Sequence, residues 1–110
     1  MIDNSKEYII CAAIWYKELK IPDTHNCISM ALPRNCNVGI VFCGHRHPHC
    51  MYSMISIFGI RSVESECGEY IQGFLSSKNK FYNRYESAEI AYNAGQIPEK
   101  IHKLHSEDIY

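Results

Sequence analysis

The sequence predicts an α+β fold, a mostly antiparallel β-sheet with two short helices packed on it. Three observations carry that expectation. Apolar runs at Glu7–Tyr16, Val38–His45 and Tyr70–Leu75 have the length and composition of strands. Between Pro48 and Phe58, the side chains of Met51, Met54, Ile55 and Phe58 fall on one face at helical spacing. The segment Asn83-Arg84-Tyr85-Glu86 has the pattern of a capped helix start. Elements in this order put the helices on one face of the sheet.

Taken along the chain, each element has its own justification. The run at 7–16 is apolar almost throughout, which predicts a strand covered on both faces, in part by another subunit. With the methionine face of the helix, that run predicts a homo-oligomer, because together they exceed what a lone small domain covers. From Lys17 to Val38 the chain is polar and broken by Pro22 and Pro33, which predicts a long connection with a short strand around Cys27–Leu32. The second strand, Val38–His45, runs straight into Arg46-His47-Pro48. Proline is tolerated in a first helical turn, so a helix is expected from Pro48 to Phe58, stopped by Gly59. Its methionine face reads as core or subunit interface. Arg61–Gly68 is polar and begins a strand of unassigned pairing. After Tyr70–Leu75, Ser76-Ser77-Lys78-Asn79 has the composition of a surface turn. A few extended residues then lead to a helix from Glu86 to Ala94, capped by Asn83 with Glu86 and ended by Gly95 in a left-handed conformation. Ala88, Ala91 and Ala94 permit close packing on a sheet. The tail after Pro98 has neither helical nor strand periodicity.

Composition narrows the function. The 110 residues form one domain, read as a single ligand-binding domain over 1–110. With 11 basic and 12 acidic residues the net charge is −1, so a long nucleic acid is not an expected partner. No apolar run is long enough to span a bilayer, and Met1-Ile-Asp-Asn-Ser-Lys lacks a signal-peptide pattern, so a soluble cytoplasmic protein without a membrane partner is expected. Six cysteines, at 11, 27, 36, 43, 50 and 67, then read as reduced thiols, several packed as small apolar groups. Eight tyrosines, four phenylalanines and one tryptophan exceed what a core of this size needs, which leaves aromatic surface for a ligand or a second subunit.

Two places carry candidate chemistry. At the helix start, Arg84, Tyr85 and Glu86 combine free backbone N–H groups with a fixed positive charge, a setting for phosphate or carboxylate. The plainer reading there is a capped surface helix. At Cys43-Gly-His45-Arg-His47-Pro-His49-Cys50, sulfur and imidazole suit zinc. One continuous strand does not wrap a tetrahedral ion, however, and Pro48 breaks the alternation. The preferred reading has Arg46 and His47 gripping an anion between strand end and helix start. Cys50 sits where a helix start lowers a thiol pKa, but the same position faces the core, which favours a buried, inert thiol. No nucleophile elbow, phosphate loop or dinucleotide fingerprint is present. No catalytic residue, metal or cofactor is therefore assigned. Two alternatives stay open: a nucleotide-processing enzyme with His47 as acid or base assisted by Glu86, and a zinc-dependent interaction module using Cys43, His45, His47, His49 or Cys50.

Several blocks also resemble a group of small phage-encoded proteins: Gly44-His-Arg46-His47, Gln72-Gly-Phe-Leu-Ser-Ser, Lys80-Phe-Tyr-Asn-Arg84-Tyr-Glu86-Ser-Ala, Ala94-Gly-Gln96 and Ser106-Glu-Asp-Ile-Tyr110. They cover roughly residues 38 to 110. Ser77 stands where threonine or serine is expected, Lys80 where arginine is usual and Ser87 where alanine is usual. Through that group the chain is similar to the Thoeris anti-defence 1 family, phage sponges that bind host immune nucleotide signals without cleaving them. The resemblance implies a cyclic ADP-ribose isomer or a cyclic oligonucleotide as ligand, held between subunits of an oligomer in the host cytosol. It further implies phosphate contacts at Arg46 and Arg84, base stacking at Phe74 or Tyr85, and hydrogen bonds from Asn93 and Gln96.

Overall fold

The computed structural model describes residues 6–19, 32–58 and 68–109. The short strand expected around Cys27–Leu32 lies outside them apart from Leu32, as do Gly59 and the segment from Arg61 to Cys67. Strands β1 (Ile9–Tyr16), β2 (Ile40–Gly44), β3 (Tyr70–Ser76) and β4 (Phe81–Asn83) form one antiparallel sheet in the order β2-β1-β3-β4. Helices α1 (His47–Phe58) and α2 (Arg84–Asn93) complete an α+β architecture.

The central strand β1 explains its own composition. Ala12, Ile14 and Tyr16 enter a core shared with Cys50 and Met54 of α1, Phe74 of β3 and Ala88 and Ala91 of α2. Ala13, on the opposite face, packs into a second cluster with Cys36 and Phe81, flanked by Trp15, Leu32 and Val41. The expected cover on both faces is present, but on this second face it comes from Leu32 and Cys36 of the same chain, so the apolar run does not of itself require another subunit.

Helix α1 begins at His47, one residue before the expected Pro48, which sits in the first turn where its missing N–H has no cost. Met54 and Cys50 are fully buried, and Met51 and Ile55 pack against the core from its edge. The methionine face is core.

Helix α2 starts at Arg84 rather than Glu86, because Asn83 occupies the N-cap and everything after it is already helical. The Asn83 side-chain oxygen accepts from the Glu86 N–H at 2.8 Å, and the Glu86 carboxylate accepts from the Asn83 N–H at 3.2 Å. This reciprocal box satisfies two of the donors that a helix start leaves open. At the other end Gly95 has φ +76°. Its N–H bonds Tyr92 O at 3.0 Å, and the Gln96 N–H bonds Ala91 O at 2.8 Å, the paired pattern of a Schellman stop.

Close backbone approach fixes another glycine. A Cβ on Gly73 would fall 2.0 Å from the Tyr82 carbonyl oxygen, so the narrow β3–β4 hairpin admits no larger residue there. The turn between these strands places Asn79 at φ +58° and returns with Ser76 N–H bonded to Lys80 O at 2.9 Å.

Past α2 the chain folds back over the sheet. Ile97 and Leu104 join the core, and the Leu104 N–H bonds Arg84 O at 3.0 Å. Gln96, expected to read a ligand edge, has its amide occupied elsewhere. Its oxygen accepts from the Ile9 N–H and its nitrogen donates to Ile9 O, both at 2.7 Å. Gln96→Ala removes both bonds and leaves two partly buried backbone groups of β1 unpaired. It is expected to lower stability by about 2 kcal/mol, read as a shift of the urea unfolding midpoint; an unmoved midpoint would deny the clamp any role.

Candidate functional site

Arg84 is the first residue of α2, and its side chain reaches across to β3 and α1. Its Nη2 donates to Gln72 Oε1 at 2.5 Å and to His47 Nδ1 at 3.3 Å. The Nε–H is buried and has no hydrogen-bond partner among the described residues. Among the described residues no carboxylate forms an ion pair with this guanidinium.

His47 is 4% exposed and holds Arg84 in place. Its Nε2 lies 2.7 Å from Gly73 O. A carbonyl oxygen only accepts, so Nε2 carries the hydrogen and Nδ1 offers its lone pair to Arg84. The edge-to-face contact with Phe74, at 5.0 Å between ring centroids, fixes the ring from behind. Burial lowers the His47 pKa below 6.5, and the charges of Arg84 and His105 push the same way against the pull of the Gly73 carbonyl. The ring is therefore neutral at physiological pH, and the positive charge of the site resides on Arg84.

The Arg84–Gln72 pair forms a wall between two clefts. One, of about 270 Å³, is closed on its other sides by His47, Met51, His105 and Glu107. The other, of about 470 Å³, is lined by Tyr70, Ile71, Asn83, Tyr85 and Lys103. Among the described residues, the first cleft has a carboxylate in its lining, Glu107, and the second has none. The second combines two fixed positive charges with two tyrosine rings, of which Tyr85 is 50% and Tyr70 39% exposed. Tyr85 is steadied by an edge contact with His102 at 4.9 Å and lies 5.9 Å from the Lys103 ammonium. Its far side borders a third cleft, of about 340 Å³, with Glu89, Lys100 and His102.

Of the residues singled out in the sequence, His47, Arg84 and Tyr85 come together here. The others do not. Phe74 is 0% exposed and backs His47, so it has no face to offer a base. Glu86 is committed to the helix cap. Arg46 is exposed at the corner between β2 and α1 and lines neither cleft bordered by Arg84. Asn93 ends α2, nine residues and roughly 13 Å along the helix from Arg84. Gln96 clamps β1.

The sequence does not single out Gln72, Tyr70 or Lys103, which border the larger cleft. Gln72 carried a readable signal: it shares a strand face with buried Phe74, and a polar side chain on a core-facing position needs a polar partner. Lys103 lies in a tail without periodicity and carried none.

The zinc set disperses. Cys50 is buried with its sulfur 3.6 Å from the carbonyls of Ala12 and Arg46, and burial pushes its thiol up to about 12. His47 is inside, His45 and His49 are exposed, and Cys43 lies on the sheet face that carries no helix. Among the described residues no group of three or more histidine, cysteine or acidic side chains is arranged to hold a metal ion.

A family model described as phage T4 y16D protein matches residues 8–110. The chain belongs to that family. Its phage character agrees with the phage part of the resemblance, while membership of the y16D family names no ligand, activity or partner and makes no link to Thoeris anti-defence proteins. No curated protein and no solved structure matches the chain. Among the described residues no helix is long and apolar enough to cross a membrane.

The neutral His47 has a measurable consequence. Its folded pKa lies below the unfolded value near 6.5, so in the window between them the unfolded chain binds more protons. Its contribution to stability is therefore present at and above neutral pH and is lost as pH falls through that window. Nitrogen-15 NMR is expected to show the Nε2–H form at pH 7, with titration below 6.5; a charged ring at pH 7 would overturn the assignment.

Proposed function

We propose that this phage-family protein binds a small anionic, nucleotide-like metabolite in the cleft formed by Arg84, Lys103, Tyr70 and Tyr85, and holds it without cleaving it. The single observation that carries this reading is the Arg84 guanidinium, held at the cleft wall by Gln72 and His47 with no carboxylate among the described residues paired to it. A ligand oxygen in the cleft meets a charge whose side chain is already oriented.

Other features of the cleft suit a nucleotide. The Tyr70 and Tyr85 rings offer faces to a base, Lys103 adds a second positive charge, and the Asn83 region and Gln72 bring amide chemistry to the lining. A volume of about 470 Å³ falls within the usual range for small-molecule sites. Holding rather than turnover is favoured by the state of the nearest candidate acid–base groups: both His47 nitrogens are bonded and the Glu86 carboxylate caps α2.

The cleft opens to solvent, and tight sequestration needs more of the ligand covered. A second copy of the chain closing over it supplies that cover in this reading, which makes the protein a homo-oligomer. The resemblance to Thoeris anti-defence 1 proteins supports cyclic ADP-ribose isomers and cyclic oligonucleotides as the ligands, and hence a sponge for a host immune signal.

Calorimetry with those two ligand classes is expected to give saturable binding, and heat denaturation of the complex is expected to release the ligand intact. Arg84→Ala should weaken binding by about tenfold to a hundredfold, as loss of a charge-assisted hydrogen bond of about 1.5–3 kcal/mol requires. Recovery of a hydrolysed product would favour an enzyme instead. Light scattering of the complex is expected to give a multiple of the chain mass, and a monomeric complex would remove the second copy from the account.

A further inference from the structure

Two thiols meet on the sheet face that carries no helix. Alternation along β1 puts Cys11 on the same face as Ala13, and Ala13 lies opposite Cys43 of β2. Cys11 and Cys43 are therefore diagonal cross-strand neighbours, a relation that sets Cα atoms about 7–8 Å apart. Both side chains leave the same face of the sheet on neighbouring strands, close enough for each thiol to shift the acidity of the other. Pairing of β1 with β3 is irregular between Ile9 and Cys11, and such irregularities sharpen the local twist of a strand.

Access separates this pair from the other described thiols. Cys43 is exposed and Cys11 half-buried, whereas Cys36 and Cys50 are buried. Burial pushes the Cys36 thiol up to about 11 and the Cys50 thiol up to about 12. Cys11 moves the other way, to about 7, because the neighbouring Cys43 thiol favours its thiolate, with the Gly44 backbone assisting against burial. Cys43 is pushed up by Cys11 and by burial. The pair thus divides into a nucleophilic sulfur and a partner that keeps its proton.

We propose that Cys11 and Cys43 are a reactive dithiol, which a small-molecule disulfide such as oxidised glutathione converts reversibly into an intrachain disulfide. The Cys11 thiolate attacks one sulfur of the reagent; the reagent's S–S bond breaks and its other half leaves as a thiolate that takes a proton from water. Cys43 then gives its proton to solvent, and its sulfur attacks the Cys11 sulfur and expels the second thiolate. Two protein thiols are oxidised, and one disulfide is reduced to two thiols. Disulfides need Cα atoms about 4.4–6.8 Å apart, so the strands must draw together slightly. β2 is an outer strand with one neighbour among the described residues, which leaves it room to do so.

The proposal is independent of the cleft at Arg84. Its test is peptide mapping of the reduced, folded chain after exposure to oxidised glutathione near neutral pH. The expected product has lost two hydrogens, links Cys11 to Cys43, and returns to the thiol form with dithiothreitol. In the Cys43→Ser variant, glutathione should remain on Cys11, and alkylation of Cys11 by iodoacetamide at pH 7 should slow by about tenfold as its thiolate fraction falls. Cys11→Ser should leave Cys43 unmodified over the same time. Two free thiols after treatment, separate glutathione adducts on both residues of the native chain, or a link through Cys36 or Cys50 would each overturn the assignment.

Discussion

A charged group withdrawn from water must be held by neutral dipoles or by an opposite charge, and in this protein dipoles do the holding. Arg84 bonds the Gln72 amide of β3 and the neutral His47 ring of α1, while its own backbone oxygen receives the Leu104 N–H. The starts of both helices, the third strand and the returning tail thus converge on one residue. With no carboxylate of the described residues paired to it, the positive charge is supported without being neutralised. It remains available to an anion in a way that a salt-bridged arginine is not.

The surroundings of the guanidinium favour one side of it. Glu107 borders the smaller cleft and opposes an anion there, whereas Lys103 and the two tyrosines border the larger one. A net charge of −1 for the whole chain conceals this local asymmetry. It also favours a small anion over a polymer, because a single pair of cations beside aromatic rings does not make the basic stripe that a long phosphate backbone needs.

Local chemistry was legible in the sequence; distant partnership was not. Asn83 and Glu86 announce the cap, Gly95 announces the stop, and Met51, Met54 and Ile55 announce the buried side of α1, because each signal is confined to one turn or one helix face. Cover for Ala13 by Cys36 and capture of Ile9 by Gln96 depend on residues many positions away, and no spacing rule links them. The site divides in the same way. His47, Arg84 and Tyr85, which the sequence singles out at helix starts, come together in space. Phe74 is buried and Gln96 bonds β1, since an aromatic ring and an amide are equally at home in a core and in a pocket. Arg46 and His47 are neighbours in sequence, yet the turn into α1 buries the second and leaves the first outside.

The Ile9–Gln96 clamp has a consequence for how the molecule assembles. β1 leaves the ribosome ahead of the other described strands, but its neighbour β3 lies some sixty residues downstream and its clamp 87 residues downstream. Glu7 and Tyr8 likewise bond Ser76 and Ser77 across 69 positions. Loops of that length must close before the central strand gains β3 and its clamp, although β2 lies nearer in sequence, so this half of the sheet forms late and comparatively slowly. Until then the most apolar strand of the sheet waits with its β3 edge open, which makes the nascent chain, rather than the finished fold, the form most exposed to aggregation.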